Sequence, residues 1–134
     1  MTLNELKNLL SEFGKNVSFE HDLKKKNRIN IVGKTKVFFK ADNLKDLSNF
    51  LKKLNNKEKI FILGAGSNTL ISDDLFDGVV IKLGKNFNNL SLLDEDIIIA
   101  GSSVLDKTLS NFALNNSLSG FEFLSCIPGS VGGG

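Results

Sequence analysis

Leu3, Leu6, Leu9, Leu10 and Phe13 open the chain at helical spacing, and the pattern stops at Gly14. Thr2 and Glu5 stand three apart at its head, the arrangement of a capping box in which each side chain satisfies the other's backbone N–H. Residues 15–28 are polar and weakly patterned and read as a loop, with Lys24, Lys25, Lys26 and Arg28 as a solvated basic run. Two short strands are predicted at residues 29–32 and 36–40, separated by a turn at Gly33. Asp42 or Asn43 then caps a helix whose stripe is Leu44, Leu47, Leu51 and Leu54, leaving Lys45, Lys52 and Lys53 in water.

Ile60, Phe61, Ile62 and Leu63 are apolar at every position, which predicts a strand covered on both faces, as in parallel pairing beneath helices. The order strand, helix, strand over residues 36–63 predicts a right-handed β-α-β unit. Residues 72–78 are turn-forming and end in Asp77-Gly78; a strand follows at 79–83. The polar, Asn-rich residues 84–89 mark a boundary between subdomains. Ile97, Ile98 and Ile99 form a further strand. A helix follows, with Ser103 and Asp106 as its capping arrangement and Leu105, Leu109, Phe112 and Ala113 inside. There are no internal repeats. The sequence closes on Gly132, Gly133 and Gly134, and the chain is expected to be a fragment.

Composition changes this picture little. At 134 residues with a net charge of +2, the chain is sized for one domain or two small ones. Nothing in its charge points to nucleic acid or a membrane surface. Its apolar runs fall short of the roughly 20 residues that span a bilayer. It has no signal-peptide pattern, so a cytoplasmic protein is expected. Cys126 is the lone cysteine and His21 the lone histidine, which excludes an internal disulfide and makes a metal site unexpected. Asp73, Asp74 and Asp77 are explained by turn formation before Gly78.

Chemistry concentrates where the strand at 60–63 breaks into Gly64-Ala65-Gly66-Ser67-Asn68. Glycines allow positive φ and close backbone approach, and successive N–H groups in such a loop make an anion cradle. Ser67 and Asn68 add polar groups that supplement it. A mononucleotide P-loop needs a Lys and a Ser or Thr after its last glycine, and no lysine follows Gly66. A dinucleotide fingerprint needs a third glycine and an immediate helix; here Thr69-Leu70-Ile71 reads as extended. A plain tight turn explains the glycines but not the Ser-Asn pair, nor a second glycine-rich loop at 127–134.

Two stretches together carry a specific resemblance. The first runs from Ile62-Leu63-Gly64-Ala65-Gly66-Ser67-Asn68-Thr69-Leu70 through Ile71-Ser72-Asp73 to Phe76-Asp77-Gly78-Val79-Val80-Ile81. The second is Gly120-Phe121-Glu122-Phe123-Leu124 followed by Ile127-Pro128-Gly129-Ser130-Val131-Gly132-Gly133. In this order they resemble the flavin signatures of the UDP-N-acetylenolpyruvoylglucosamine reductase family, over most of the chain from about residue 28.

The resemblance implies an α+β, PCMH-type (vanillyl-alcohol-oxidase-like) FAD-binding domain of two α/β subdomains, the second truncated. Residues 1–27 would be an N-terminal helix and loop, 28–84 the first subdomain and 85–134 the start of the second. It implies cofactor contacts from Gly64, Ala65, Gly66, Ser67, Asn68, Thr69 and Leu70 on the FAD pyrophosphate. Ile127, Pro128, Gly129, Ser130, Gly132 and Gly133 would approach the flavin and its phosphates, with Gly101 in a weaker third contact. NADPH would be the hydride donor and a UDP-sugar enolpyruvyl ether the substrate. The family's catalytic serine, arginine and glutamate follow its second glycine loop, so this stretch would carry no catalytic residue and be inactive alone. A monomer is expected for the full-length protein, with no nucleic-acid or membrane partner. Another PCMH-type flavin oxidoreductase and a non-catalytic nucleotide-binding module stand as alternatives.

Overall fold

The computed structural model describes residues 1–23, 33–70 and 74–134. The strand expected at 29–32, the basic run at 24–28 and the residues 71–73 lie outside the described residues. The described chain is a mixed α+β fold built on two sheets. The first has strands β1 (Val17–Asp22), β2 (Lys34–Ala41), β3 (Ile60–Ile62) and β4 (Leu75–Leu83) in the order β1-β2-β4-β3. β1 runs antiparallel to β2, while β2 and β3 each pair in parallel with β4. The second is an antiparallel hairpin of β5 (Leu90–Asp94) and β6 (Ile97–Ala100).

Helix α1 (Leu3–Leu9) begins with the expected capping box. Thr2 Oγ1 accepts from the Glu5 N–H at 3.3 Å and the Thr2 N–H donates to Glu5 Oε2 at 2.8 Å. That backbone N–H is the main reason the Glu5 carboxyl is held below its ordinary range. The helix is shorter than its apolar pattern. The chain tightens into a 3₁₀ turn at Ser11–Asn16, kinked where Gly14 takes φ 51°, and Phe13 sits on that turn. Phe13 still reaches the core, edge-on to Phe39 at 5.5 Å and to Phe50 at 5.3 Å between ring centroids.

The loop expected at 15–28 is corrected. Residues 17–22 form β1, and Val17, Ser18 and Phe19 pair opposite Phe39, Phe38 and Val37. The N-terminal segment therefore belongs to the first sheet. Alternation at Val17 and Phe19 sets both against the core beneath the helices. Glu20, at φ 49°, then breaks the pattern, and His21 stacks on Phe38 of the other face, where Leu23 also packs.

Helix α2 (Leu44–Leu54) is capped by Asn43, whose side chain accepts from the Asp46 N–H at 2.9 Å, and it closes on Asn55 in the left-handed region. Its buried stripe differs from the leucine reading. Phe50 and Leu54 are fully buried, Leu47 is half-buried, and Leu44 is 71% exposed. Phe50 stacks on Phe39 of β2 at 3.8 Å, and that aromatic contact sets the rotation of the helix.

Two layers of core flank the sheet. Leu6, Leu10, Val37, Phe39, Ala41, Phe50, Leu54, Val79 and Ile81 pack beneath α1 and α2. Leu23, Phe38, Leu63 and Val80 pack on the opposite face with Phe76. Among the described residues β2 and β4 are the interior strands, and this overturns the expectation that residues 60–63 are covered on both faces. β3 lies at the sheet edge with Ile60, Phe61 and Ile62 all exposed, and only Leu63 is buried. Asp77-Gly78 is also corrected, from a turn to a bulge inside β4. Thr35 pairs with Phe76 and Val37 with Val79, so Lys36 alone stands opposite two residues. Thr35 Oγ1, buried, donates across the bulge to the Gly78 carbonyl at 3.1 Å.

Beyond β4 a 3₁₀ turn at Lys85–Phe87 occupies the expected boundary, and β5 adds a strand that its polar surroundings had hidden. Helix α3 (Asp106–Asn115) buries Asp106, Leu109, Ser110 and Ala113. Its start differs from expectation: Leu105 is the N-cap residue, without a side-chain cap, and Ser103 Oγ instead donates to the Leu83 carbonyl at 3.5 Å.

Candidate functional site

The site lies where β3 ends and the second unit begins. Gly64, Ala65, Gly66, Ser67, Asn68 and Thr69 line one wall of a cleft of about 510 Å³. Asp106, Ile127, Pro128, Gly129 and Ser130 line the other, with Gly133 and Gly134. The walls come close at Gly64, where an added Cβ would stand 3.2 Å from Ser130 Oγ. Lys82 of β4 fixes the first wall, donating from Nζ to the Gly64 carbonyl at 2.8 Å. Gly66 takes φ +72°, a conformation that β-carbon-bearing residues avoid.

The two loops differ in how they use their backbone. The N–H groups of Ala65, Gly66, Ser67 and Asn68 donate to no acceptor among the described residues. They remain available to a ligand. The second loop is tied to its own unit instead. Gly129 donates to the Ile127 carbonyl at 3.1 Å, Val131 to Val104 at 2.9 Å, Gly132 to Ser102 at 2.9 Å and Gly133 to Ser130 at 2.7 Å. An antiparallel bridge joins Leu105 to Ser130. The first loop is thus an open nest of donors, suited to an anion such as a diphosphate, and the second is a stiff wall facing it.

The remaining sequence-expected positions lie apart from this cleft. Leu70 lines a separate apolar hollow of about 260 Å³ with Leu23, Phe61, Leu63 and Phe76. Gly101 packs against the Phe87 carbonyl and donates to that of Asn89 at 2.8 Å. Its neighbours Ser102 and Ser103 do reach an adjoining cleft of about 330 Å³, with Lys82, Ser130, Gly132 and Gly133. Two lining groups escaped the sequence reading. Lys82 is the one cation inside the apolar run of β4, and that isolation was its signal. Asp106 was read only as part of a helix cap. No cluster of three or more metal-ligating side chains occurs among the described residues.

A family model described as an FAD binding domain matches residues 35–134. The chain belongs to that FAD-binding family. The open N–H nest fits the family's cofactor, whose diphosphate is an anion of the kind such a loop takes. Over its whole length the FAD-binding chain is 63% identical to the UDP-N-acetylenolpyruvoylglucosamine reductase of Pelagibacter ubique, and it spans 44% of that protein's length. It is 46% identical over 115 residues to the reductase of the same name from Rickettsia typhi, covering 86% of this chain and 39% of that protein. The crystal structure of UDP-N-acetylenolpyruvylglucosamine reductase from Thermus caldophilus superposes with a TM-score of 0.67 at 25% identity. That match covers 87% of this FAD-binding chain and 39% of the solved one.

Proposed function

We propose that this chain is the cofactor-holding part of an FAD-dependent UDP-N-acetylenolpyruvoylglucosamine reductase. The observation that carries the reading is the likeness to the Pelagibacter protein along every residue of the chain. In this reading the full protein reduces the enolpyruvyl ether of UDP-N-acetylglucosamine to UDP-N-acetylmuramate for peptidoglycan, working in the cytoplasm as a monomer. FAD, when bound, supplies the relay that carries hydride from NADPH to the substrate double bond.

The residues of this chain hold and orient. The free N–H groups of residues 65–68 neutralise the diphosphate, and Ser67 and Asn68 add side-chain donors. Lys82 occupies the Gly64 carbonyl at the head of that loop. The self-bonded second loop holds Ser130 against Gly64 and gives the cofactor a wall that does not yield. The proton donor and the substrate-binding groups belong to sequence outside residues 1–134.

The full gene product is expected to purify yellow or take up FAD, and to oxidise NADPH when given the enolpyruvyl substrate. A protein that binds FAD but passes electrons to oxygen or another acceptor, ignoring that substrate, is a different PCMH-type oxidoreductase. One that binds nucleotides with no flavin preference is a binding module. Residues 1–134 alone are expected to bind FAD weakly and to turn nothing over.

A further inference from the structure

Asp106 is the one charged residue that is buried among the described residues, 4% exposed, and it lines the large cleft. No donor among the described residues bonds its carboxylate, and no cation pairs with it. Its oxygens are not among the fully buried polar atoms of the described residues, so the solvent they reach is that of the cleft it lines. It stands at the start of α3, near the positive end of the helix dipole.

The backbone fixes where the group sits. The Asp106 N–H donates to the Gly129 carbonyl at 3.3 Å, and the adjacent Leu105 bridges to Ser130. Gly129 has no β-carbon, and the space one would fill lies against Asp106 Oδ2. An ionised carboxylate only accepts hydrogen bonds. A phosphate beside it is repelled, and the free anion-binding N–H groups belong to the opposite loop. A metal cluster is not formed among the described residues. The chemistry left is a neutral O–H or N–H donor, and the donors of FAD nearest its diphosphate are hydroxyls. FAD carries hydroxyls on both sides of its diphosphate, on the adenosine ribose and on the flavin's ribityl chain.

We propose that Asp106 is the hydroxyl-reading group of the cleft, accepting a hydrogen bond from one sugar or polyol hydroxyl of FAD and so setting the direction in which the cofactor lies. The proposal rests on the FAD reading of the site.

The test is FAD affinity, measured by fluorescence titration of the full gene product carrying Asp106→Ala or Asp106→Asn. Ala is expected to weaken binding roughly tenfold or more, as for loss of a hydrogen bond to a charged group. Asn, which keeps an acceptor, is expected to lose less. FAD analogues lacking a ribose or a ribityl hydroxyl then separate the two sources. The analogue missing the hydroxyl that Asp106 reads binds weakly to the native protein and loses nothing further in the Ala variant. Equal losses on FAD and on both analogues overturn the proposal, as does FAD affinity within twofold of native in both variants. A fall in the melting temperature of the ligand-free Ala variant with unchanged FAD affinity makes Asp106 a structural residue and also overturns it. A native protein that fails to bind FAD overturns the cofactor reading itself, and the proposal with it.

Discussion

Residues up to Leu83 and those after it build opposite walls of one cleft by different means. The first region has a four-stranded sheet with core on both faces, and its large aromatics Phe39 and Phe50 are fully buried. The second has a two-stranded hairpin whose Leu92, Leu93, Ile97 and Ile99 are exposed; Val104 and α3 supply its buried apolar side chains. An isolated hairpin is marginal in water, so the second region takes its rigidity from the hydrogen bonds among α3, residues 102–104 and the second glycine loop. Affinity for an anion sits on the well-packed side, in a loop left open. Shape sits on the thinly packed side, in a loop closed upon itself.

The sharpest way to break this comparison is to cut into each region. Phe50→Ala removes a ring stacked on Phe39 and is expected to cost about 3–5 kcal/mol in urea unfolding. Leu93→Ala, on the exposed hairpin, is expected to stay within about 0.5 kcal/mol. Comparable losses at both sites would show that the hairpin is packed as the first sheet is. Next in size is Gly101→Ala, whose added carbon falls on the Phe87 carbonyl, backbone rather than a yielding side-chain tip. About 1–3 kcal/mol is expected, read from thermal melts, if the junction between the regions is as stiff as its bonding indicates.

Asn43→Ala removes the α2 cap and is expected to cost about 1 kcal/mol. Amide exchange sharpens the contrast: β2 and β4 amides should exchange far more slowly than those of β5 and β6. The smallest effect concerns the surface pair of Lys36 and Asp77, 2.9 Å apart. Their hydrogen bond is the largest cause of a lowered Asp77 and a raised Lys36 pKa. Its contribution is therefore present at neutral pH. It is lost as pH falls through the depressed Asp77 value, and lost again as pH rises through the elevated Lys36 value. Asp77→Asn should lower the melting temperature slightly at pH 7, and by less in acid.

What the sequence made legible was whatever is decided locally. The capping box of Thr2 and Glu5, the Asn43 cap and the breaks into the two glycine loops depend on neighbours within a few residues. Position in the sheet does not. The run Ile60-Phe61-Ile62 has the apolar content of an interior strand, yet among the described residues β2 and β4 take the interior and leave it at the edge. In α2, Leu47, Phe50 and Leu54 fit helical spacing as well as the leucines do, and only the stacking on Phe39 chooses between them. At the site, the glycines announced a loop. The burial of Asp106 depends on Gly129, more than twenty residues away, and no local pattern carries it.

The sheet order also dictates a sequence of events during synthesis. Among the described residues β3 pairs only with β4, and β4 follows it in the chain. As the polypeptide leaves the ribosome, residues 60–62 cannot make this pairing until residues 79–81, their partners, have emerged. The glycine loop is therefore translated first and anchored late. Lys82, which locks Gly64, arrives one residue after the last β3 contact, so completion of the strand and fastening of the loop become a single event.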